Sequence, residues 1–201
     1  MQSKDFRRLI GLTGGIGTGK TTVSKYLATR YKLPILDADI YARDAVAKDS
    51  PILDEIKNRY GDRILLSDGS LDRPSLGKII FSDRTEKDWL EQKIHPFVRD
   101  RFKSELKEIE SETVVLVIPL LFEAKMTDLV TEIWVVSCPL DLQIERIVER
   151  DSLSPSQALD RINNQLPLKD KIAAADFTLD NSTTKEALLK QVDRIIDDKA
   201  V

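Results

Sequence analysis

The residues whose types and order most clearly predict chemistry are residues 14–21, which read Gly-Gly-Ile-Gly-Thr-Gly-Lys-Thr. They fit the pattern G-x-x-x-x-G-K-[ST], in which glycines permit positive φ angles and let backbone N–H groups approach an anion closely. Lys20 would place an ammonium near the β- and γ-phosphates of a nucleotide, and the Thr21 hydroxyl would bind a magnesium ion. The run therefore predicts a loop that binds nucleotide phosphates.

The residues around this loop favour the setting that such a motif needs. An apolar run at residues 9–12 precedes it and predicts a buried strand, while residues 23–31 carry apolar side chains at helical spacing. The positive end of that helix would face the phosphates. We therefore expect a strand, a glycine loop and a helix, with the nucleotide bound by Gly14, Gly15, Gly17, Thr18, Gly19, Lys20 and Thr21.

Two aspartates follow the second apolar run of the chain, residues 33–36. Acids at the carboxyl end of a strand in an α/β protein lie on the side where ligands bind. Asp37 and Asp39 would share one face if the strand continued, at the end of the strand that neighbours the phosphate loop. The alternative is that one of them is the N-cap of a helix that begins at Ile40. Glu123 follows the apolar run 114–118 in a similar way.

Three arginines predict a lid over a triphosphate. Arg146 and Arg150 are one turn apart in a predicted helix at residues 139–150, and Ser154 opens a capping box with proline in the first turn of the next helix. That second helix would place Arg161 and Gln165 on one side. Guanidinium groups can bridge phosphate oxygens, as a lid requires. The alternative is salt bridging with the nearby acids Glu145, Glu149 and Asp151.

Alternating strands and helices must position these side chains. The predicted strands lie near residues 9–13, 33–37, 114–118, 133–137 and 176–180. This alternation predicts a five-stranded parallel sheet with helices on both faces, the three-layer α/β fold of P-loop NTPases. We expect a nucleotide-binding core at residues 1–39, 111–145 and 171–201, a helical domain for the acceptor substrate at 40–110, and a lid at 146–170.

The expected acceptor domain is predicted to be helical throughout. Helices are predicted at residues 52–60 and 76–81, with Arg73-Pro74 at the start of the second, and an amphipathic helical stretch at 83–109. Pro96 should break or kink that stretch, because proline lacks the backbone donor and clashes with the preceding turn. His95 would then lie at a helix junction, where a lone histidine is more often a structural hydrogen-bonding residue than a catalyst.

Composition narrows the classes of function. The 201-residue chain has a formal net charge of −3, which argues against general nucleic-acid binding. Its single cysteine, Cys138, excludes an intramolecular disulfide, and with one histidine a structural zinc site is not expected. No apolar run is long enough for a membrane span and no signal segment is recognisable. We expect a cytoplasmic monomer that binds neither nucleic acid nor membranes.

Among nucleotide-binding proteins, the residues favour a small-molecule kinase. No Asn-Lys-x-Asp segment follows a predicted strand, which argues against a GTPase. The chain is short and has no acidic pair closing the run 114–118, which argues against a translocating ATPase. A phosphate loop, an inserted acceptor domain and an arginine-bearing lid are what a kinase needs to exclude water during transfer.

The chain also resembles the dephospho-CoA kinase family over nearly its whole length. The matching segments, in the family's order, are residues 12–22, Asp37-Ala38-Asp39 with Ala42-Arg43, His95-Pro96, 119–123, Arg146 through Arg150-Asp151, Arg161 with Gln165, and 175–181. The acidic, Pro-Leu-Leu-x-Glu and Arg-Asp segments together are far more specific than the phosphate loop. Thr18 and Thr21 replace the family's usual serines but keep both hydroxyls.

This resemblance implies a reaction and a set of roles. The reaction is ATP-dependent phosphorylation of the 3′-hydroxyl of dephospho-CoA's ribose, giving coenzyme A and ADP with Mg²⁺. The implied catalytic residues are Asp39 as base, Lys20 and Arg146. The resemblance adds Thr22, Arg150 and Arg161 to the nucleotide site, and it implies that Asp37, Arg43, His95 and Glu123 bind the acceptor. A nucleoside monophosphate kinase, and a nucleotide-gated binding protein without transfer activity, remain as alternatives.

Overall fold

A five-stranded parallel sheet is the central element of the computed structural model, which describes residues 7–198. Its strands are β1 (Arg8–Gly14), β2 (Ile35–Asp37), β3 (Thr113–Val117), β4 (Glu132–Ser137) and β5 (Phe177–Asp180). They lie in the order β2-β3-β1-β4-β5, and each neighbouring pair is parallel. The predicted α/β fold is confirmed, and each predicted strand overlaps an observed one.

Helices connect the strands. They are α1 (Lys20–Arg30), α2 (Ala38–Ala45), α3 (Pro51–Tyr60), α4 (Arg73–Ser82), α5 (Arg84–Glu108), α6 (Leu140–Asp151), α7 (Pro155–Asn163), α8 (Leu168–Ala173) and α9 (Lys185–Asp198). The short helix α8 was not predicted. Within residues 7–198, no helix combines the length and the apolar character needed to cross a lipid bilayer.

The described chain divides into two compact units, a core of residues 7–37 and 110–198 and a helical unit of residues 38–109. In the core, one sheet face packs against α1 and α9. The buried residues of this cluster are Ile10, Leu12, Val115, Val117, Trp134, Val136 and Leu179 from the sheet, with Val23, Leu27, Leu188 and Val192 from the two helices. Val114, Leu116 and Val135 on the opposite face are also fully buried. Burial on both faces explains the continuous apolar runs of the sequence.

Sheet order places the phosphate loop at the centre of one sheet edge. All strands are parallel, so their carboxyl ends, including Gly14, Asp37 and Asp180, lie along the same edge. β1 lies between β3 and β4, where the strand order reverses, and this is where α/β folds bind ligands. The expectation that Asp37 and Asp39 follow the strand next to β1 was wrong, because β3 lies between β1 and β2.

The helical unit has an apolar cluster of its own, formed by Val46, Leu53, Ile56, Ile64, Leu71, Leu76 and Leu90. Helix starts follow the sequence signals: Ser50 accepts a hydrogen bond from Leu53 N–H, and Asp72 accepts one from Ser75 N–H ahead of the predicted Arg73-Pro74 start. Glu86 accepts hydrogen bonds from Arg59 and Tyr60. These bonds, chiefly the one from Arg59, lower the pKa of Glu86 to about 2.

Pro96 was predicted to break or kink the helical stretch, and a break does not occur. Helix α5 continues through Pro96, so His95 lies inside the helix and not at a junction. Proline inside a helix costs about 3 kcal/mol, but Leu90, Val98 and Phe102 are buried on both sides of it and stabilise the helical path. Gln92, whose carbonyl loses its partner, is exposed like Pro96, so water can hydrate this part of the helix.

Candidate active site

The phosphate loop occupies the turn between β1 and α1, and two of its glycines are required by close contacts. Gly14 has φ +145°, and a Cβ there would lie 2.3 Å from the Val136 carbonyl oxygen. Gly19 has φ +103°, and a Cβ there would lie 2.3 Å from Asn181 Nδ2. Gly19 is the N-cap of α1 and no side chain caps this helix start. The loop thus presents first-turn backbone N–H groups that can bind an anion.

Lys20 begins α1 and lies across the loop. Its Nζ donates hydrogen bonds to the carbonyl oxygens of Gly14 at 3.0 Å and Gly15 at 2.8 Å. The ammonium is therefore held within the turn formed by the loop, where the sequence motif predicted a cation. Thr21, the predicted magnesium ligand, follows in the first turn and lines a cavity of about 350 Å³ with Thr22, Lys25 and Lys185.

Side-chain hydrogen bonds to backbone carbonyls hold the phosphate loop in place; they come from Thr18, Asn181 and Arg146. Thr18 is fully buried and its hydroxyl donates to the Gly15 carbonyl at 2.8 Å. The Asn181 side chain, just after β5, donates to the Thr18 carbonyl at 2.8 Å. Arg146 Nη1 donates to the Gly17 carbonyl at 3.3 Å, and its Nη2 donates to the Asn181 carbonyl at 3.2 Å. Of the three predicted lid arginines, Arg146 thus lies at the phosphate loop.

The other two arginines share one carboxylate. Arg150 donates to both oxygens of Asp151, at 2.7 and 2.9 Å. Arg161, from the next helix, donates to Asp151 Oδ2 at 2.7 Å. These bonds, above all those of Arg150, lower the pKa of Asp151, so that it stays ionised into acid. Asp151 therefore links α6 to α7, as the salt-bridge alternative expected for this one acid.

The predicted capping box is confirmed, but Gln165 lies beyond the helix it was assigned to. Ser154 and Gln157 exchange the two capping hydrogen bonds with Pro155 in the first turn. Helix α7 ends at Asn163, so Gln165 lies in the segment before α8. Its side-chain oxygen accepts a hydrogen bond from Ile16 N–H of the phosphate loop at 3.1 Å. This contact ties the end of the predicted lid to the loop.

Glu123 anchors the same segment. Its Oε1 accepts the Leu166 N–H at 2.9 Å and lies 2.8 Å from Lys171 Nζ. Lys171, in α8, is completely buried, and its Nζ also donates to the Pro119 carbonyl at 3.3 Å. The same carbonyl accepts the hydroxyl of Thr13, the residue before the phosphate loop. The observed partners of Glu123 are thus structural groups of the core unit.

The helical unit contains a cavity of about 360 Å³ that combines charged and apolar walls. Its lining residues are Asp39, Ala42, Arg43, Val46, Leu71, Arg73, Leu76, Gly77, Ile80, Leu90 and Ile94. Asp39 is in the first turn of α2, and Arg43 is four residues further on the same helix. Among the lining residues, all within the described chain, Asp39 is the only acid. The cavity therefore brings together the predicted base and one predicted acceptor-binding residue.

The two aspartates occupy different elements. Asp37 is the last residue of β2, and α2 begins at once with Ala38, so the strand does not continue to Asp39. They therefore do not share a strand face. Asp39 lies inside the first turn of α2 and is not its N-cap, and the helix begins two residues earlier than Ile40. An acid in a first turn is favoured by the helix dipole.

His95 does not line this cavity, although its neighbour Ile94 does. The imidazole is about half buried, and burial lowers its pKa below the usual value for histidine. Lowering the pKa keeps the ring neutral over more of the physiological range. Its environment gives no support to a charged role toward an anionic substrate.

Three residues at these sites were missed by sequence reasoning. Asn181 follows β5 at the carboxyl edge of the sheet, and its position was a usable signal. Arg73 was noticed only as a helix start. Lys171 had no signal at all, because its burial depends on a distant partner, Glu123.

Metal-binding groups are sparse. In residues 7–198, no cluster of three or more His, Cys, Asp or Glu side chains has a geometry that could hold a metal ion. Oxygen donors do occur near the sheet edge, in the Thr21 hydroxyl and the Asp37 carboxylate. A magnesium ion that also binds substrate phosphates needs only one or two such protein oxygens.

Comparison of the chain with known proteins gives a consistent result. The model of the family "Dephospho-CoA kinase" matches residues 8–186. A dephospho-CoA kinase from Trichormus variabilis is 62% identical over 187 residues, which cover 93% of this chain and 95% of that protein.

Solved structures show the same similarity. TT1252 from Thermus thermophilus superposes with a TM-score of 0.78 at 32% identity, covering 96% of this chain and 97% of that one. The dephospho-CoA kinase from Campylobacter jejuni superposes with a TM-score of 0.70 at 25% identity, covering 94% and 95%. Similarity therefore extends over both the core and the helical unit.

Proposed function

The chain belongs to the dephospho-CoA kinase family, and on this premise we propose how its residues carry out the reaction. The enzyme phosphorylates dephospho-CoA with ATP and forms coenzyme A and ADP. The observation that best supports a residue-level proposal is the cavity of the helical unit, whose only acidic lining residue is Asp39. We propose that this cavity binds the acceptor and that the phosphate loop of the core binds the donor.

On the donor side, the phosphate loop and Lys20 bind the β- and γ-phosphates of ATP. The first-turn N–H groups of α1 carry partial positive charge, and Lys20 adds a full one. Arg146, already hydrogen-bonded to Gly17 of the loop, neutralises charge on the transferring group. Phosphoryl transfer has a loose transition state, so positioning and charge neutralisation supply most of the acceleration.

Arg150 and Arg161 extend this site as lid residues. Each retains guanidinium N–H groups beyond those bonded to Asp151. A lid at residues 146–170 excludes water, which would otherwise compete with the acceptor for the γ-phosphate. Gln165 and Glu123 hold the far end of this segment, where it returns to the core.

On the acceptor side, Asp39 acts as the base. The ribose 3′-oxygen attacks the γ-phosphorus, its proton passes to the Asp39 carboxylate, and the bond from the γ-phosphorus to the bridging oxygen of ADP breaks. The proton moves late, so Asp39 contributes an orienting hydrogen bond and about 10²–10⁴-fold in rate. Arg43 lies one helical turn away in the same cavity and binds the acceptor. Asp37, His95 and Glu123 do not line this cavity, so the acceptor contacts that the resemblance implies for them stay predictions and form no part of this proposal.

We propose that Mg²⁺ binds together with ATP. The Thr21 hydroxyl would hold the ion, and the Asp37 carboxylate at the end of β2 is the candidate for a second ligand from the core unit. When bound, the ion neutralises phosphate charge. Hydroxyl and carboxylate oxygens are hard donors of the type that Mg²⁺ selects.

The domain roles, with residues 40–110 binding the acceptor and residues 146–170 forming the lid, are likewise proposals. The monomeric state and the cytoplasmic location expected from the sequence stay predictions.

The experiment that tests the function measures the product. Purified enzyme with ATP and magnesium should form ADP only when dephospho-CoA is added, and mass spectrometry should detect one coenzyme A for each ADP. A nucleoside monophosphate offered in place of dephospho-CoA should give no ADP above background. Equal turnover with the monophosphate, or nucleotide binding without any coenzyme A, would contradict the proposal.

A further inference from the structure

The acceptor cavity contains a second arginine that the roles above leave out. Arg73 is the first residue of α4 and lines the cavity with Arg43 of α2. Its Nη2 donates a hydrogen bond to the Arg43 backbone carbonyl at 3.3 Å. This bond holds the Arg73 side chain against α2 and brings two guanidinium groups to one cavity.

Neither guanidinium forms a salt bridge within residues 7–198. At least three of the five other arginines of the helical unit do have a carboxylate partner: Arg59 pairs with Glu86, Arg84 with Asp88 and Arg101 with Glu105. A guanidinium has five N–H donors in a planar fork that matches phosphate oxygens, and the hydrogen bond to Arg43 uses only one of those of Arg73. With two guanidinium groups and one carboxylate, the cavity keeps an excess of positive charge, which favours a ligand with at least one anionic group.

The other lining residues of the cavity are apolar and indicate which part of the acceptor lies beside the diphosphate. Ile80, Leu90 and Ile94, with Leu71 and Leu76, form an apolar surface beside the arginines. Dephospho-CoA carries its diphosphate on the ribose 5′-carbon. The other end of the diphosphate is esterified to a methylene group that is followed by a carbon with two methyl groups. Asp39 and Arg43 are four residues apart on α2, so their Cβ atoms are about 5–6 Å apart. A ribose ring spans a similar distance between its 3′-oxygen and its 5′-substituent.

We propose that Arg73, together with Arg43, binds the 5′-diphosphate of dephospho-CoA, and that the apolar wall takes the adjacent dimethyl-substituted carbon. This inference rests on the proposed function and extends it to the part of the acceptor that is not phosphorylated. Arg73 is then a substrate-binding and specificity-determining residue. It discriminates acceptors with a diphosphate from simple nucleosides that offer the same 3′-hydroxyl.

The test compares Arg73→Gln with the wild-type enzyme in steady-state kinetics. The KM for dephospho-CoA should rise about ten- to hundredfold, as expected for the loss of one charge-assisted hydrogen-bonding group. The KM for ATP should stay within twofold. Arg73→Lys should give an intermediate KM, since an ammonium cannot form the bidentate contact. Because Arg73 is exposed and Asp72 and Pro74 still start α4, the variant should fold.

A matched control and two competitors identify the part of the acceptor involved. Lys78→Gln removes one positive charge from the exposed side of the same helix, outside the cavity, and should leave both KM values unchanged. Inhibition by 4′-phosphopantetheine, which has the phosphate and the dimethyl carbon but no ribose, should weaken in Arg73→Gln; inhibition by adenosine should not.

An unchanged KM for dephospho-CoA in Arg73→Gln, or an equal rise in the KM for ATP, would overturn the assignment. Weakened inhibition by adenosine alone would also overturn it, since Arg73 would then contact the nucleoside. A wild-type enzyme that forms no coenzyme A would instead refute the function itself, so the two failures are distinguishable.

Discussion

Glu123 offers a sharp test of the core unit, because its contacts support a structural role, whereas the family resemblance implies that it binds the acceptor. Glu123→Ala removes the carboxylate that lies 2.8 Å from the ammonium of the fully buried Lys171 and accepts the Leu166 N–H. Breaking a buried pair by removing one partner costs about 3–5 kcal/mol. The Glu123 side chain is 25% exposed and the Pro119 carbonyl still accepts from Lys171, so we expect about 3 kcal/mol.

The assay is equilibrium unfolding in urea, followed by the fluorescence of Trp134, which is fully buried in the core. Trp89, which belongs to the helical unit, is replaced by phenylalanine in all variants so that only the core is observed. Glu123→Ala should lower the midpoint, and the thermal midpoint should fall by about 6–12 °C for a chain of this size. At temperatures where the variant is folded, its KM for dephospho-CoA should match that of the wild type.

A double variant supplies the control. In Glu123→Leu with Lys171→Met both charges are absent, so the double change should cost less than Glu123→Ala alone. The reasoning is refuted if Glu123→Ala unfolds at the same urea concentration as the wild type while its KM for dephospho-CoA rises tenfold. That result would restore the acceptor contact that the family resemblance implies.

Three further predictions test the catalytic base, the lid and the acid stability of the helical unit. Asp39→Asn should lower kcat by about 10²–10⁴-fold with little change in nucleotide affinity by calorimetry; a parallel loss of ATP binding would make Asp39 a metal or nucleotide ligand instead. Gln165→Met loses the hydrogen bond from Ile16 N–H of the phosphate loop, so kcat should fall about tenfold and ADP should form in excess over coenzyme A. The control Asn164→Ala should behave as the wild type. If both variants form ADP and coenzyme A in equal amounts, the Gln165 contact does not help the lid to exclude water. The pKa of Glu86 is lowered to about 2 from 4.5, so its stabilising contribution is complete above about pH 5 and disappears as the pH falls toward 2. Glu86→Gln should therefore flatten the acid dependence of helical-unit unfolding, observed through Trp89 in a Trp134→Phe background, and an unchanged dependence would contradict the assignment.

The features that could be predicted from sequence are those encoded by neighbouring residues. The run 14–21 specifies its turn through glycines that adopt positive φ, and Gly14 and Gly19 indeed allow no Cβ. The central strands β1, β3 and β4 were recognisable because a strand that is buried on both faces is largely apolar. Ser154 and Gln157 identified the start of α7 because a capping box involves only four residues.

The features that were missed depend on residues far apart in the chain. The penalty of Pro96 was predictable, but whether it breaks α5 depends on the buried packing that flanks it. The sheet places β3 between β1 and β2, and the residues around Asp37 and Asp39 carry no signal of that order. Arg73 approaches α2 from a helix 30 residues later, so its place beside Arg43 was not visible in either segment.

The contacts of the phosphate loop predict that it binds a triphosphate more tightly than a smaller anion. Lys20 donates to two loop carbonyls, Arg146 donates to a third, and Ile16 N–H is bonded to Gln165. A ligand that draws Lys20 and Arg146 away must offset these hydrogen bonds, each about 1 kcal/mol or more. A single phosphate oxygen replaces one bond, whereas the oxygens of adjoining phosphates can accept from Lys20, Arg146 and the first-turn N–H groups together. We therefore expect the loop to favour ligands with several phosphates, because only these can replace the lost hydrogen bond at each donor.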